Sequence, residues 1–152
     1  MSTVVVTLSG GETHEVAPGV TAGEVIKDAY GRGAVAALID GELRDLATPL
    51  EDDCILDQIQ PDSDDGLYIL RHSCAHLLAQ AVLEFYPDAK PTIGPPIEHG
   101  FYYDFHMNPI GEEELKAIEK RMKELVKQNL QIVREEHDGA ELRSMFSENP
   151  FK

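Results

Sequence analysis

Basic residues are scarce in this chain, and that scarcity constrains its function. Of 152 residues, 13 are Lys or Arg and 28 are Asp or Glu, a formal net charge of -15. Nucleic-acid phosphates are held by clustered Lys and Arg, so electrostatics alone argue against nucleic-acid binding by the most acidic part. Cysteine is as sparse. Cys54 and Cys74 are the only two, which gives no disulfide framework and fits a reducing, cytoplasmic setting. No apolar run reaches the length that spans a bilayer, so no membrane partner is expected. The start, Met1-Ser2-Thr3-Val4-Val5-Val6, lacks the basic and apolar regions of a signal peptide. What is present is 42% hydrophobic residues without biased repeats, the composition of a globular chain.

The charge is unevenly spread. Up to Gly66 there are three basic and fourteen acidic residues, and from Leu67 onward ten and fourteen. The change coincides with Gln60-Pro61-Asp62-Ser63-Asp64-Asp65-Gly66, a polar, turn-rich run that reads as a linker. Two domains are expected, 1–61 and 67–152, joined by residues 62–66. The acidity of the first is read as solubility rather than as a binding patch.

The first domain reads as a small α+β unit. Thr3 to Leu8 is β-branched and apolar, a strand. Ser9-Gly10-Gly11-Glu12 is a hairpin turn, and Thr13 to Val16 the return strand. Thr21 stands three residues before Glu24, a capping box that opens a helix to about Tyr30. Gly31-Arg32-Gly33 stops it. It is not a phosphate loop, because no Gly-Lys-Ser/Thr follows. Ala34 to Ile39 and Cys54 to Ile59 read as further strands, with a tight turn at Asp40-Gly41 and a short strand after it. This order is that of a ubiquitin-like β-grasp. His14 reads as a surface histidine.

The second domain opens on Arg71-His72-Ser73-Cys74-Ala75-His76-Leu77-Leu78. Apolar residues at Leu70, Cys74, Leu77, Leu78, Ala81, Val82 and Phe85 mark one side of a helix. His72 and His76 stack on another face, four residues apart. Small residues beside them, Ala79 and Gln80, leave room. Three readings stay open. The pair is structural, or it clamps a metal, or it does acid–base chemistry on a water. The zinc-protease form needs Glu directly after the first His, and Ser73 stands there.

Pro87 ends this helix. Thr92-Ile93-Gly94 and Gly100 to Phe105 read as two strands around a rigid Pro95-Pro96 bend. Phe101, Tyr103 and Phe105 share one face, which composition assigns to the core. A long helix is expected from Glu112 to about Leu130, its buried stripe Leu115, Ile118, Met122, Leu125 and Val126. Glu112–Lys116 and Glu119–Lys123 are its i,i+4 pairs. Gln131 to Arg134 reads as a strand, and Asp138 as the cap of a short helix from Ala140 to Phe146.

The order of these segments is more specific than any one of them. A β-grasp module, then Ile69-Leu70-Arg71-His72-Ser73-Cys74-Ala75-His76-Leu77-Leu78, then Ile93-Gly94-Pro95-Pro96-Ile97 and Gly100-Phe101-Tyr102-Tyr103-Asp104, then Leu115…Ile118-Glu119-Lys120-Arg121-Met122, closely resembles the N-terminus of bacterial-type threonyl-tRNA synthetases. The resemblance covers essentially the whole chain. It implies a TGS (β-grasp) domain over 1–61 and an incomplete α+β editing domain over 67–152. It implies that His72 and His76 activate a water that hydrolyses mischarged seryl-tRNA. It further implies that Tyr103 lines the pocket for the terminal adenosine, and that Lys152, after Pro150-Phe151, is an editing-site lysine. No metal is expected at the histidine pair. The family's downstream Asp-x-Cys-x-x-x-His stretch is not in these 152 residues. Neither is the aminoacylation core that would use ATP, Mg and a zinc ion. The chain is therefore expected to be an inactive piece of a longer ligase. Its partner would be the acceptor end of tRNA-Thr. The parent would dimerise through the absent core, and the piece alone would be a monomer. Two other classes compete. One is a TGS-type docking module without catalysis. The other is a metal hydrolase built on the histidine pair.

Overall fold

The computed structural model describes residues 3–151. The fold is α+β. The chain divides between Leu70 and Arg71 into two compact units.

In the first unit, β1 (Val4–Leu8), β2 (Thr13–Val16), β3 (Ala36–Ile39), β4 (Glu42–Arg44) and β5 (Cys54–Ile59) form one sheet in the order β2-β1-β5-β3-β4. β1 and β5 run parallel, and the other neighbours antiparallel. Along the chain, strand, strand, helix, strand, short strand and strand follow in the order read from the sequence. Alternation places Val4, Val6 and Leu8 inward, since successive strand residues face opposite sides. They pack with Val25 and Ile26 of α1 (Ala22–Tyr30) and with Leu50 and Leu56. The capping box forms as expected. The Glu24 N–H donates to Thr21 Oγ1 at 3.3 Å, and the Thr21 N–H donates to the Glu24 carboxylate at 2.9 Å. That backbone bond from Thr21 lowers the Glu24 pKa. Gly31, at φ 87°, ends the helix. Asp40 at φ 50° and Gly41 at φ 82° make the tight β3–β4 turn, where both central residues need positive φ.

The run read as a linker is only partly one. α2 (Asp64–Phe85) begins inside it. Ser63 Oγ donates to the Gln60 carbonyl at 2.7 Å and accepts the Gly66 N–H at 3.1 Å. Asp64 and Asp65 then occupy the first turn, where negative charge meets the positive end of the helix dipole. A polar cluster at a helix start looks like a linker in sequence.

In the second unit, α2 and α3 (Glu112–Lys127) share a core of Ala81, Val82, Ala89, Ile118 and Leu125. Arg121 of α3 donates through Nε and Nη2 to the two Glu84 carboxylate oxygens of α2. The guanidinium holds the Glu84 carboxyl below the usual carboxylate range. The helix stripes shift from expectation. Ala75 and Ala79 of α2 are buried, whereas Leu70 and Phe85 are exposed. Ala79, expected to leave room beside the histidines, is itself covered; a lone methyl is hidden by little neighbouring surface. On α3, Ile118 and Leu125 are buried while Leu115 and Val126 are 54% and 64% exposed. Lys116 pairs with Glu113 at 3.1 Å instead of Glu112, and Lys123 pairs with Glu119 at 2.6 Å as expected.

Between the helices, the two expected strands become four short ones. β6 (Lys90–Pro91) pairs with β9 (Phe105–His106), and β7 (Pro96–Ile97) pairs with β8 (Gly100–Phe101). The outer ladder is extended by the Thr92 N–H donating to the Asp104 carbonyl and the Asp104 N–H donating to the Ile93 carbonyl, both at 2.9 Å. Proline lacks the donor a continuous ladder needs, so Pro91, Pro95 and Pro96 split one hairpin into two nested pairs. The strand expected over 131–134 does not form, and Ile132 and Val133 are 77% and 66% exposed. β-branched residues favour a strand only where an edge is there to pair with. α4 (Gly139–Met145) forms where expected, and the Asp138 side chain accepts the Ala140 and Glu141 N–H groups.

Candidate functional site

The central predicted feature is present. One helical turn stacks His72 and His76, with Nε2 atoms 2.9 Å apart. The ring centroids are 4.6 Å apart, and the ring planes meet at 62°. Both residues are exposed to solvent.

The contact constrains the tautomers. A hydrogen bond between two Nε2 atoms needs one N–H and one lone pair. With both rings neutral, one carries its proton on Nε2 and the other on Nδ1. The pair holds one proton in its shared bond. It suits a general base for a bound water. A catalytic zinc usually takes three protein ligands. No group of three His, Cys, Asp or Glu side chains stands together among the described residues.

Tyr103 lies on the hairpin. Its ring stacks on Phe105, centroids 4.7 Å apart at 24°. It also lies flat on Gly94, where a Cβ would meet Tyr103 Cδ2 at 2.2 Å. Phe105 in turn packs against the core of the unit. Tyr103 is half-buried while its neighbours Tyr102 and Asp104 are exposed. The face expected of it from alternation is the one it takes.

Lys152 lies outside the described residues. The residues before it dock on the same hairpin. The Asn149 side-chain amide donates to the Pro91 carbonyl at 3.0 Å and accepts the Phe151 N–H at 3.1 Å. The Phe151 ring lies 5.8 Å from that of His106. Sequence reading missed Asn149. Nothing local marks a residue whose partner is 58 positions away.

The fold and site define a class: an α+β chain with a solvent-exposed, hydrogen-bonded histidine pair on a helix and an aromatic hairpin in the same unit. No family model matches the chain. Individual proteins do. It is 48% identical over 148 residues to a threonine–tRNA ligase of Thermobifida fusca, covering 97% of this chain and 22% of the relative. It is 50% identical over 129 residues to that of Thermoplasma acidophilum, covering 85% and 19%. For the Pelobacter propionicus ligase the figures are 44% over 151 residues, 97% and 24%. The chain is homologous to the threonine–tRNA ligases over a segment about a fifth of their length. Among the described residues no helix is long and apolar enough to cross a membrane.

Proposed function

We propose that the chain is the N-terminal part of a threonine–tRNA ligase, with a TGS domain over 1–61 and the first part of the editing domain over 67–152. The parent enzyme charges tRNA-Thr with threonine in the cytoplasm, using ATP, Mg and a zinc ion in its aminoacylation core, through which it also dimerises. Serine lacks the threonine methyl, and one such group gives only ~1–3 kcal/mol of discrimination at a binding site. Hydrolysis of seryl-tRNA at a second site makes up the deficit. The observation that carries this reading is the 2.9 Å Nε2···Nε2 contact on an exposed helix face, in a chain homologous to these ligases.

In this reading the lone pair of the pair takes a proton from a bound water as its oxygen attacks the seryl ester carbonyl. The carbonyl–ribose oxygen bond then breaks, and the ribose oxygen leaves with the proton that the pair took from the water. Tyr103 lines the pocket beside the terminal adenosine, and Lys152 supplies a cation. These 152 residues hold no Asp-x-Cys-x-x-x-His stretch, so this part alone is expected to leave seryl-tRNA intact.

The test is seryl-tRNA deacylation by the parent-length ligase. General acid–base groups contribute about 10²–10⁴-fold, so His72→Ala and His76→Ala are each expected to slow clearance by that order. Threonyl transfer should be unchanged. Full clearance by either variant refutes the assignment.

A further inference from the structure

We propose that the outer face of the sheet in the first unit docks a basic, amphipathic helix of a partner protein. Val4, Val6, Leu8, Ala37 and Leu56 turn toward α1 and form the core. The opposite face would be polar if it met only water. Its middle instead carries Val5, Thr7, Leu38, Leu43 and Ile55, and the register makes them one patch. Thr7 stands opposite Ile55, and Leu38 opposite Leu43. Asp57, two residues beyond Ile55, stands opposite Leu38, so Ile55 and Leu38 are diagonal neighbours within side-chain reach. Ile55 is 58% exposed and Leu43 46%, and Val5, Thr7 and Leu38 are half-buried. Farther along the same face Ala36 and Ile59 are buried. A contiguous exposed apolar patch rimmed by polar groups marks an interaction site.

The rim sets the partner's charge. Asp53 Oδ1 accepts the Val5 N–H at 2.7 Å, and Asp40 Oδ1 accepts the Ile55 N–H at 2.8 Å. Those bonds hold both carboxylates beside the patch. Asp57 lies within it, and Glu15 stands opposite Val5. Among the described residues none of these four is in an ion pair. The three bases of the unit do not offset them. Lys27 is on α1, across the sheet, Arg32 follows α1, and Arg44 is bound to Glu42. RNA or an anionic membrane would be repelled, and a second copy would bring acid against acid. What fits is a polypeptide with an apolar stripe between lysines and arginines. Strands lie ~4.8 Å apart, so β1, β5, β3 and β4 make a face ~14 Å across, room for one helix ~10 Å wide. The acidity read above as a solubility device has this second use.

The experiment adds two synthetic peptides to the isotope-labelled 152-residue chain and reads backbone amide shifts. Both peptides hold the same numbers of Leu, Lys and Arg. One sets Leu at helical i, i+3, i+4, i+7 spacing, and the other scrambles it. The amphipathic peptide is expected to shift the Thr7, Leu38, Leu43, Ile55 and Asp57 amides and to bind about tenfold tighter than the scrambled one. Ile55→Thr and Leu43→Thr, which keep strand propensity, should each weaken it about fivefold. Leu115→Ala, at a comparably exposed position of α3, should not weaken it. Asp40→Asn with Asp53→Asn keeps both Oδ1 acceptors. That pair of changes should weaken binding about threefold at low salt and not at high salt. Equal affinity for the two peptides overturns the proposal. So do shifts spread over the whole acidic surface or centred on the second unit, and unchanged binding by both threonine variants. A dimer in light scattering that Ile55→Thr dissolves, or an RNA hairpin that shifts the same amides, overturns it as well.

Discussion

Gly94 carries a test of how the aromatic wall of the hairpin is built. A Cβ there would lie 2.2 Å from Tyr103 Cδ2 and 2.6 Å from Cε2 and Cγ, against ordinary contact at 3.4–4 Å. No positive φ is involved at this glycine, so alanine is excluded by space alone. The ring would have to retreat by more than 1 Å, from 2.2 to at least 3.4 Å. Rotation about χ2 does not help, because Cγ lies on that axis and clashes too. Tyr103 must swing at χ1 or carry its backbone with it. Overpacking of this kind costs ~1–3 kcal/mol. Parting Tyr103 from Phe105 forfeits an aromatic pair worth ~0.5–1.5 kcal/mol. Gly94→Ala is therefore expected to destabilise the second unit by about 2–4 kcal/mol. Native-state hydrogen exchange at the Ile118 and Leu125 amides reads that unit by itself. In a Tyr103→Ala background the same change should cost under about 0.5 kcal/mol, since nothing is left to collide with. The coupling between the two sites is then about 1.5–4 kcal/mol. Equal costs in both backgrounds, or a cost under about 0.5 kcal/mol with Tyr103 present, would show that the ring does not rest on this glycine.

Two other perturbations follow from the same geometry. At Gly66 a Cβ would lie 1.9 Å from the Gln60 carbonyl oxygen and 3.0 Å from Pro61 Cα, both backbone. Alanine gains about 1 kcal/mol of helix propensity over glycine, yet overlap with fixed backbone outweighs it. Gly66→Ala should cost roughly 3 kcal/mol in urea unfolding, and a stabilised variant would refute the close approach. Acid should loosen the α2–α3 clamp. Glu84 has a pKa held below its ordinary 4.5 by the Arg121 hydrogen bond. A depressed carboxyl gives stability that is present above 4.5 and is lost as pH falls through the lower, folded value. The stability of Glu84→Gln should fall less steeply with acid over that window, and a profile parallel to the parent protein's would sink the assignment.

The parts of this structure that were legible in the sequence are those whose signals are local. Thr21 and Glu24 are three residues apart, and both hydrogen bonds of their capping box form. Asp40-Gly41 is its own turn. His72 and His76 meet because helix geometry alone sets their distance. Where a residue's state depends on a distant partner, the sequence was silent or misleading. Gln131 to Arg134 has the composition of a strand and remains unpaired among the described residues. Leu115 and Val126 continue the apolar repeat of α3 and stand exposed. Ser63, Asp64 and Asp65 read as linker because a helix start and a loop use the same polar side chains. The candidate site divides along this line. Its histidine pair is written in a four-residue spacing. The hairpin of the same unit is built on Gly94 under Tyr103 and on Asn149 bonded to Pro91. Each is a contact between segments whose joint meaning appears only once the hairpin has closed.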